Sequence, residues 1–262
     1  MSARGLALTV IAGLLTAASN YPQEIAEWQK GRAAGLMAEG GWLSVAGLFW
    51  LEDGANAIPL PDGKTGHFTL HAGKVTATVD GSTREVKADS PEKVQIGRAS
   101  LFAIKRGERY GIRMKDPEAE TRRKFRGLEY FPVNEKWRIT AKWVAEPHPI
   151  PVLNILGQTE MSDCPGYAEF RVAGKDYRLY PILEEPDAKE LFYMFKDQTA
   201  GKETYPAGRF FYSDMPKNGQ VVLDFNKSYN PPCAFTDFAT CPLPPKENVM
   251  PFRVDAGEKR YH

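Results

Sequence analysis

Two periods of hydrophobic recurrence divide this chain. Over Tyr21–Met37 (YPQEIAEWQKGRAAGLM), Ile25, Trp28, Arg32 and Gly35 fall three or four positions apart, and Pro22 suits a first helical turn. The spacing predicts one amphipathic helix. After Gly40-Gly41 the period drops to two: Phe68 and Leu70 alternate with His67, Thr69 and His71, then Val75, Ala77 and Val79 alternate with Lys74, Thr76 and Thr78. Ala72-Gly73 and Asp80-Gly81 supply turns, so a hairpin is expected here, and Leu101–Lys105 and Tyr110–Met114 flank another turn at Gly107. Residues 42–116 are read as β-rich.

The densely charged stretch DPEAETRRKFR (116–126) predicts a surface turn of helix and a seam between two halves. Beyond it, Trp137, Ile139, Ala141 and Trp143 alternate with Arg138, Thr140 and Lys142, and Ala168, Phe170 and Val172 lead to a turn at Gly174. Residues 177–183, 191–195, 209–212 and 221–225 also read as strands. Strands at this spacing without long helices between them predict a mostly β protein, with antiparallel β-sandwich or barrel subdomains and an N-terminal amphipathic helix. The expected units are an N-terminal segment 1–19, the helix within 20–41, a sandwich-like subdomain 42–116 and a second β subdomain 117–262 ending in a Pro-rich segment. Within that segment, Asn230–Pro245 is expected to be ordered, anchored by Phe235, Phe238 and Leu243 against the second subdomain.

Composition narrows the function. With 262 residues, 42% hydrophobic, and 34 Lys plus Arg against 33 Asp plus Glu, the chain has neither the bias of a disordered protein nor a basic footprint for nucleic acid. One Arg, Arg4, precedes the apolar run Gly5–Ala18, and small residues Ala17, Ala18 and Ser19 follow. This run is too short to span a bilayer, which takes about 20 residues. It fits the apolar core of an export signal, giving a periplasmic or secreted protein without a later membrane span. A buried helix in a cytoplasmic protein is the alternative. Cys233 and Cys241, in an oxidising compartment, could close a small loop and leave Cys164 free. No metal and no cofactor is expected: His67 and His71 sit on the solvent face of an alternating strand, the cysteines match no zinc spacing, and no nucleotide, phosphate-loop, zincin or G-x-S-x-G motif occurs.

The densest polar grouping lies late, in FKDQTAGKETYPAGRFFYSD (195–214) and VVLDFNKSYNPP (221–232). Val221, Leu223 and Phe225 share one strand face, so Asp224 and Asn226 point together to the other. Arg209 is expected on a neighbouring strand, within hydrogen-bonding reach of Asp224. The reading is a pocket for a small polar or anionic ligand built by Lys202, Glu203, Tyr205, Arg209, Asp224, Asn226 and Tyr229. Two alternatives stand beside it. One is a hydrolase with Glu203 or Asp224 as general base and Arg209 or Tyr205 stabilising charge, or less readily with Cys233 as nucleophile. The other is a structural or interaction module whose ion pairs, such as Asp224–Arg209, only hold loops. Trp42, Phe49 and Trp50 suit core packing, with a ligand-stacking wall as the alternative.

Four stretches, GLFWLEDGANAI (47–58), FRGLEYFPVNEKWRI (125–139), DQTAGKETYPAGRFFY (197–212) and DFNKSYNPPCAFTDFATCPLPPKEN (224–248), together resemble the bacterial family catalogued as domain of unknown function 1684. The resemblance runs from about Trp28 to Lys259. It implies a single family unit often carried on exported proteins, with no activity to transfer. Pro206 stands where that family more usually has Gly, and Asp237-Phe238 where it has Pro-Tyr. The strand order from Trp50 to Met114 is similar, more weakly, to a forkhead-associated β-sandwich. PLPDGKTGHF (59–68) lacks that fold's binding Arg and Ser, so none of its binding residues is carried over.

Overall fold

The computed structural model describes residues 20–261; the apolar run at 5–18 lies outside them. The predicted helix forms over Tyr21–Met37 (α1), with Pro22 in its first turn. Its inward stripe is Tyr21, Ile25, Trp28, Arg32 and Leu36; Gly35 is exposed, so Leu36 takes the last inward place. Two members of that stripe are polar, and both are used for docking.

The chain then runs through β1 (Val45–Trp50), β2 (Gly54–Pro59), β3 (Thr65–His71), β4 (Lys74–Val79), β5 (Ser82–Glu85), β6 (Val94–Ile96), β7 (Ala99–Arg106) and β8 (Arg109–Lys115). These make two four-stranded antiparallel sheets, ordered β1-β8-β7-β6 and β2-β3-β4-β5. Ile58, Phe68, Val75 and Ala77 from one meet Leu101, Ala103, Ile112 and Met114 from the other in a shared core. Each larger apolar side chain there contributes roughly 1.5–3 kcal/mol by leaving water. Ala72 (φ 49°) and Gly73 (φ 76°) are both left-handed, the mirror-image turn that matches strand twist. His67 and His71 point outward and are exposed.

The charged stretch 116–126 forms a short helix, α2 (Glu120–Lys124), which buries no residue. The second unit comprises β9 (Arg138–Val144), β10 (His148–Leu153), β11 (Thr159–Cys164), β12 (Tyr167–Val172), β13 (Lys175–Leu179), β14 (Glu190–Phe195), β15 (Arg209–Asp214) and β16 (Gln220–Asp224). It forms three antiparallel layers: the sheet β13-β12-β9-β16, the pair β14-β15, and the pair β10-β11. The β14-β15 pair is buried on both faces. Leu191, Tyr193, Phe195 and Phe211 face the four-stranded sheet, while Phe192, Met194 and Phe210 face Ile150 and Val152 of β10. That double burial explains the uninterrupted apolar runs LFYMF and FFY in the sequence. The fold is thus mostly β, with one N-terminal helix.

Asp224 and Asn226 do point together, but onto α1. The Tyr21 hydroxyl donates to Asp224 Oδ1 at 2.6 Å, and Asn226 Nδ2 donates to the Tyr21 hydroxyl and to the Asn134 carbonyl, both at 2.9 Å. Burial, then the adjacent Asp224 carboxylate, pushes the Tyr21 hydroxyl pKa far up, so it remains a donor.

The expected Arg209–Asp224 pair does not form. β15 pairs with β14 while β16 pairs with β9, so the two residues belong to different sheets. Arg209, 1% exposed, instead meets Asp197 Oδ1 at 3.3 Å, donates to the carbonyls of Val254 (2.9 Å), Ala256 and Glu258 (3.3 Å), and lies 5.1 Å over the Phe195 ring. Gly208 before it has φ 106°, and a Cβ there would come within 2.5 Å of the Phe195 carbonyl oxygen. Only glycine lets the chain pass that close. The Pro-rich segment is also anchored differently from expectation. Phe235 is buried against Leu36 and Leu43 near α1, Leu243 is half-buried with its N–H on the Leu153 carbonyl, and Phe238 is exposed. Cys233 and Cys241 form a disulfide inside it, and Cys164 is free and buried.

Tyr21→Phe should lower stability by about 1–3 kcal/mol, because it strips a buried carboxylate and a buried amide of their shared partner. Urea unfolding measures this, and a loss below about 0.5 kcal/mol would mean that α1 docks through apolar contact alone. Arg209→Ala should cost roughly 3–5 kcal/mol by stranding Asp197. Arg209→Lys should also destabilise, since an ammonium cannot reproduce the planar fork that serves Asp197 and the carbonyls together; wild-type stability in that variant would contradict this account.

Candidate functional site

The two β units and α1 meet around a cleft of about 390 Å³. From the first unit come Trp42, Arg106 at the end of β7, and Arg113 on β8; α1 brings Arg32. The second unit brings Glu184, Phe192, Phe210, Tyr212 and Tyr229, with Pro232, Thr240, Cys241 and Pro242 of the Pro-rich segment closing one side.

Strand alternation decides which face Arg113 occupies. Ile112 and Met114 enter the core of the first unit, so Arg113 lies on the outer face of its sheet. On that sheet alone it would be solvated. Here the Pro-rich segment crosses over it and leaves it 9% exposed. Its Nη2 reaches Thr240 Oγ1 at 3.4 Å, its Nε has no partner, and none of the ion pairs among the described residues includes it. The guanidinium carbon lies 5.2 Å from the Trp42 ring centroid. Burial, with the like charge of Arg106 nearby, pushes the Arg113 pKa down to about 10, so it is still charged at neutral pH.

Its two companions are neutralised. Arg106 donates from Nη1 to Asp89 Oδ1 at 2.8 Å and from Nε to Thr240 Oγ1 at 2.9 Å. Arg32 donates from Nε to Glu258 Oε1 and from Nη2 to the Asn230 carbonyl, both at 2.9 Å, and lies 4.6 Å over the Tyr229 ring. Glu258 is fully buried; desolvation raises its pKa, opposed by Arg32 and by the Asn230 N–H at 2.7 Å. The Thr240 hydroxyl accepts from two arginines, which leaves its own proton free to donate into the cleft.

Across from the arginines, the Tyr212 hydroxyl donates to Glu184 Oε2 at 2.8 Å. Burial foremost raises the pKa of both Tyr212 and Tyr229, keeping the two hydroxyls protonated. The arrangement can hold an anion against Arg113 and Thr240 and an apolar body against the rings.

The seven residues expected to share one pocket are dispersed. Tyr229 lines the cleft. Lys202 and Glu203 sit on an exposed loop beside a separate depression with Lys259 and Arg260, where Glu203 pairs with Arg253. The Tyr205 hydroxyl donates to the Cys233 carbonyl at 3.1 Å. Arg209 is enclosed by backbone, and Asp224 and Asn226 hold Tyr21. Neither suggested general base opens on the cleft, and Cys233 is tied up in its disulfide, which removes it as a nucleophile. Of the early aromatics, Trp42 lines the cleft, Phe49 packs on the core of the first unit, and Trp50 lies under Arg109 at 4.0 Å. Among the described residues no group of three or more His, Cys, Asp or Glu is placed to hold a metal, and no helix is long and apolar enough to cross a membrane.

Sequence reasoning missed Arg106, Arg113, Glu184 and Thr240. For Arg32 there was a signal, a charged residue inside the inward stripe of a helix. Arg113 gave none, because an arginine on the polar face of a strand is ordinary until another segment covers it.

The solution NMR structure of the uncharacterized protein from gene locus rrnAC0354 of Haloarcula marismortui is 30% identical over 55% of this chain and 80% of that one, with a TM-score of 0.45. Among curated proteins none matches. The family described as "Protein of unknown function (DUF1684)" matches residues 123–259, from α2 through the Pro-rich segment. The motif at 47–58 lies outside that stretch, as do Arg32, Trp42, Arg106 and Arg113. On that match, which spans just over half of its length, this chain belongs to the DUF1684 family.

Proposed function

We propose that this protein binds a small anionic molecule in the cleft between its two β units. One observation carries the reading: Arg113 is a nearly buried cation with an unpartnered Nε and, among the described residues, no carboxylate within ion-pair distance. An unpaired charge at that depth is a standing cost to the fold, and an anion entering beside it removes the cost. Thr240 and Arg106 supply further donors at the same point, and the cleft volume falls within the ~300–1,000 Å³ range of small-molecule sites. The rival hydrolase reading lacks such support, since Glu203 and Asp224 are engaged elsewhere. The Cys233–Cys241 disulfide favours an oxidising compartment, in keeping with export.

Sulfate, phosphate and acetate, each compared with chloride at equal ionic strength, should raise the melting temperature of the wild-type protein saturably. Arg113→Met should abolish that response while making the ligand-free protein more stable by about 1–3 kcal/mol, because it replaces a lone buried charge by an apolar chain of similar length. If Arg113→Met instead destabilises the protein and no anion shifts the wild type, the guanidinium is architectural and the reading fails. The response to sulfate and to acetate, whose own charges do not change in this range, should stay level from pH 6 to 9, since no histidine lines the cleft and Arg113 keeps its proton until about pH 10; a response to these two lost near pH 6.5 would assign the site to another group.

A further inference from the structure

Resting on the anion-binding reading, we infer that the ligand is an aromatic monocarboxylate, its carboxylate against Arg113 and Thr240 and its ring against the aromatic wall formed by β14, β15 and Tyr229.

The charge count selects a single negative charge. Arg32 is paired with Glu258 and Arg106 with Asp89, which leaves Arg113 as the one guanidinium of the cleft lining without an ion pair, and Asp89 acts on it only from beyond ion-pair distance. Glu184, at the exposed side, opposes a second negative charge on the ligand and offers an acceptor to a distal hydroxyl or amine. A phosphate monoester, with nearly two charges at pH 7, fits that count less well than a carboxylate.

The walls select the body. Phe192, Phe210, Tyr229 and Tyr212 form a closed circuit of rings. Their successive centroid separations are 5.0 Å (Phe192–Phe210), 6.0 Å (Phe210–Tyr229), 6.3 Å (Tyr229–Tyr212) and 4.9 Å (Tyr212–Phe192). All four line the cleft. Inorganic anions would leave most of its roughly 390 Å³ to water against apolar surface. The guanidinium carbons of Arg113 and Arg32 lie over the Trp42 and Tyr229 rings at 5.2 and 4.6 Å, so cationic and aromatic surface adjoin in the cleft, a combination suited to a ligand with an oxyanion and a flat body.

Isothermal titration of the full chain with four probes separates the possibilities: acetate, inorganic phosphate, 4-hydroxybenzoate and the uncharged 4-hydroxybenzamide. The inference requires 4-hydroxybenzoate to bind at least about tenfold more tightly than acetate or phosphate, a gain of ~1.4 kcal/mol and within what one aromatic contact supplies. The amide should not bind, and Arg113→Met should eliminate 4-hydroxybenzoate binding. Tyr229→Ala, or Tyr212→Leu should the first fail to fold, should reduce the preference over acetate while retaining acetate itself. If acetate or phosphate binds through Arg113 as tightly as 4-hydroxybenzoate, the aromatic inference falls and anion binding stands. Benzamide-type binding indifferent to Arg113→Met, or no binding by any probe, overturns both.

Discussion

Arg209 holds a full positive charge at 1% exposure, and that depth is tolerable only because Asp197 and the carbonyls of residues 254, 256 and 258 surround it. The three carbonyls belong to a segment with no regular structure, so the guanidinium substitutes for the ladder bonds that such a segment lacks. Once 254–258 is pinned, the Glu258 carboxylate is fixed in the interior, where it takes Arg32 of α1 and the N–H of Asn230. Arg32 in turn lies over Tyr229 in the cleft. A buried ion pair and a partly buried one in series thus join the core of the second unit to the wall of the candidate site.

The other determinant is the double-faced burial of β14 and β15. One face supplies Tyr193, Phe195 and Phe211 to the larger core; the other supplies Phe192 and Phe210 to the cleft side. The cleft therefore has a floor that is itself part of a core strand pair, and its rings are held by packing on the layer behind them. Aromatic surface fixed in this way would cost little ordering entropy in any association. Arg113 stands on the opposite side, nearly buried and without an ion pair, an arrangement unfavourable to stability taken alone.

Local chemistry made much of the fold legible. The period-two runs, the Ala72-Gly73 and Asp80-Gly81 turns, the helix opened by Pro22 and the short charged α2 all follow from neighbours in sequence. The β10-β11 hairpin was not among the expected strands, and Pro149 and Pro151 in HPIPVL are residues that a strand pattern ordinarily excludes. On β10, paired on one side only, a missing N–H can be borne, and Ile150 and Val152 still face inward.

Polar density misled the search for a site, since Asp224, Asn226, Arg209 and Glu203 are crowded in sequence yet serve three different interfaces in space. By itself the sequence determined the strand and helix periods, the turns and the faces that the side chains take, because these depend on contacts within a few residues. The tertiary structure alone decided that Arg209 answers to Asp197 rather than Asp224, and that Arg32, Arg106, Arg113 and Thr240 meet. Those outcomes depend on which layers stack and on the crossing of residues 232–242 over β8. The cost of burying a charge is set by what covers it, and here the cover comes from more than a hundred residues away.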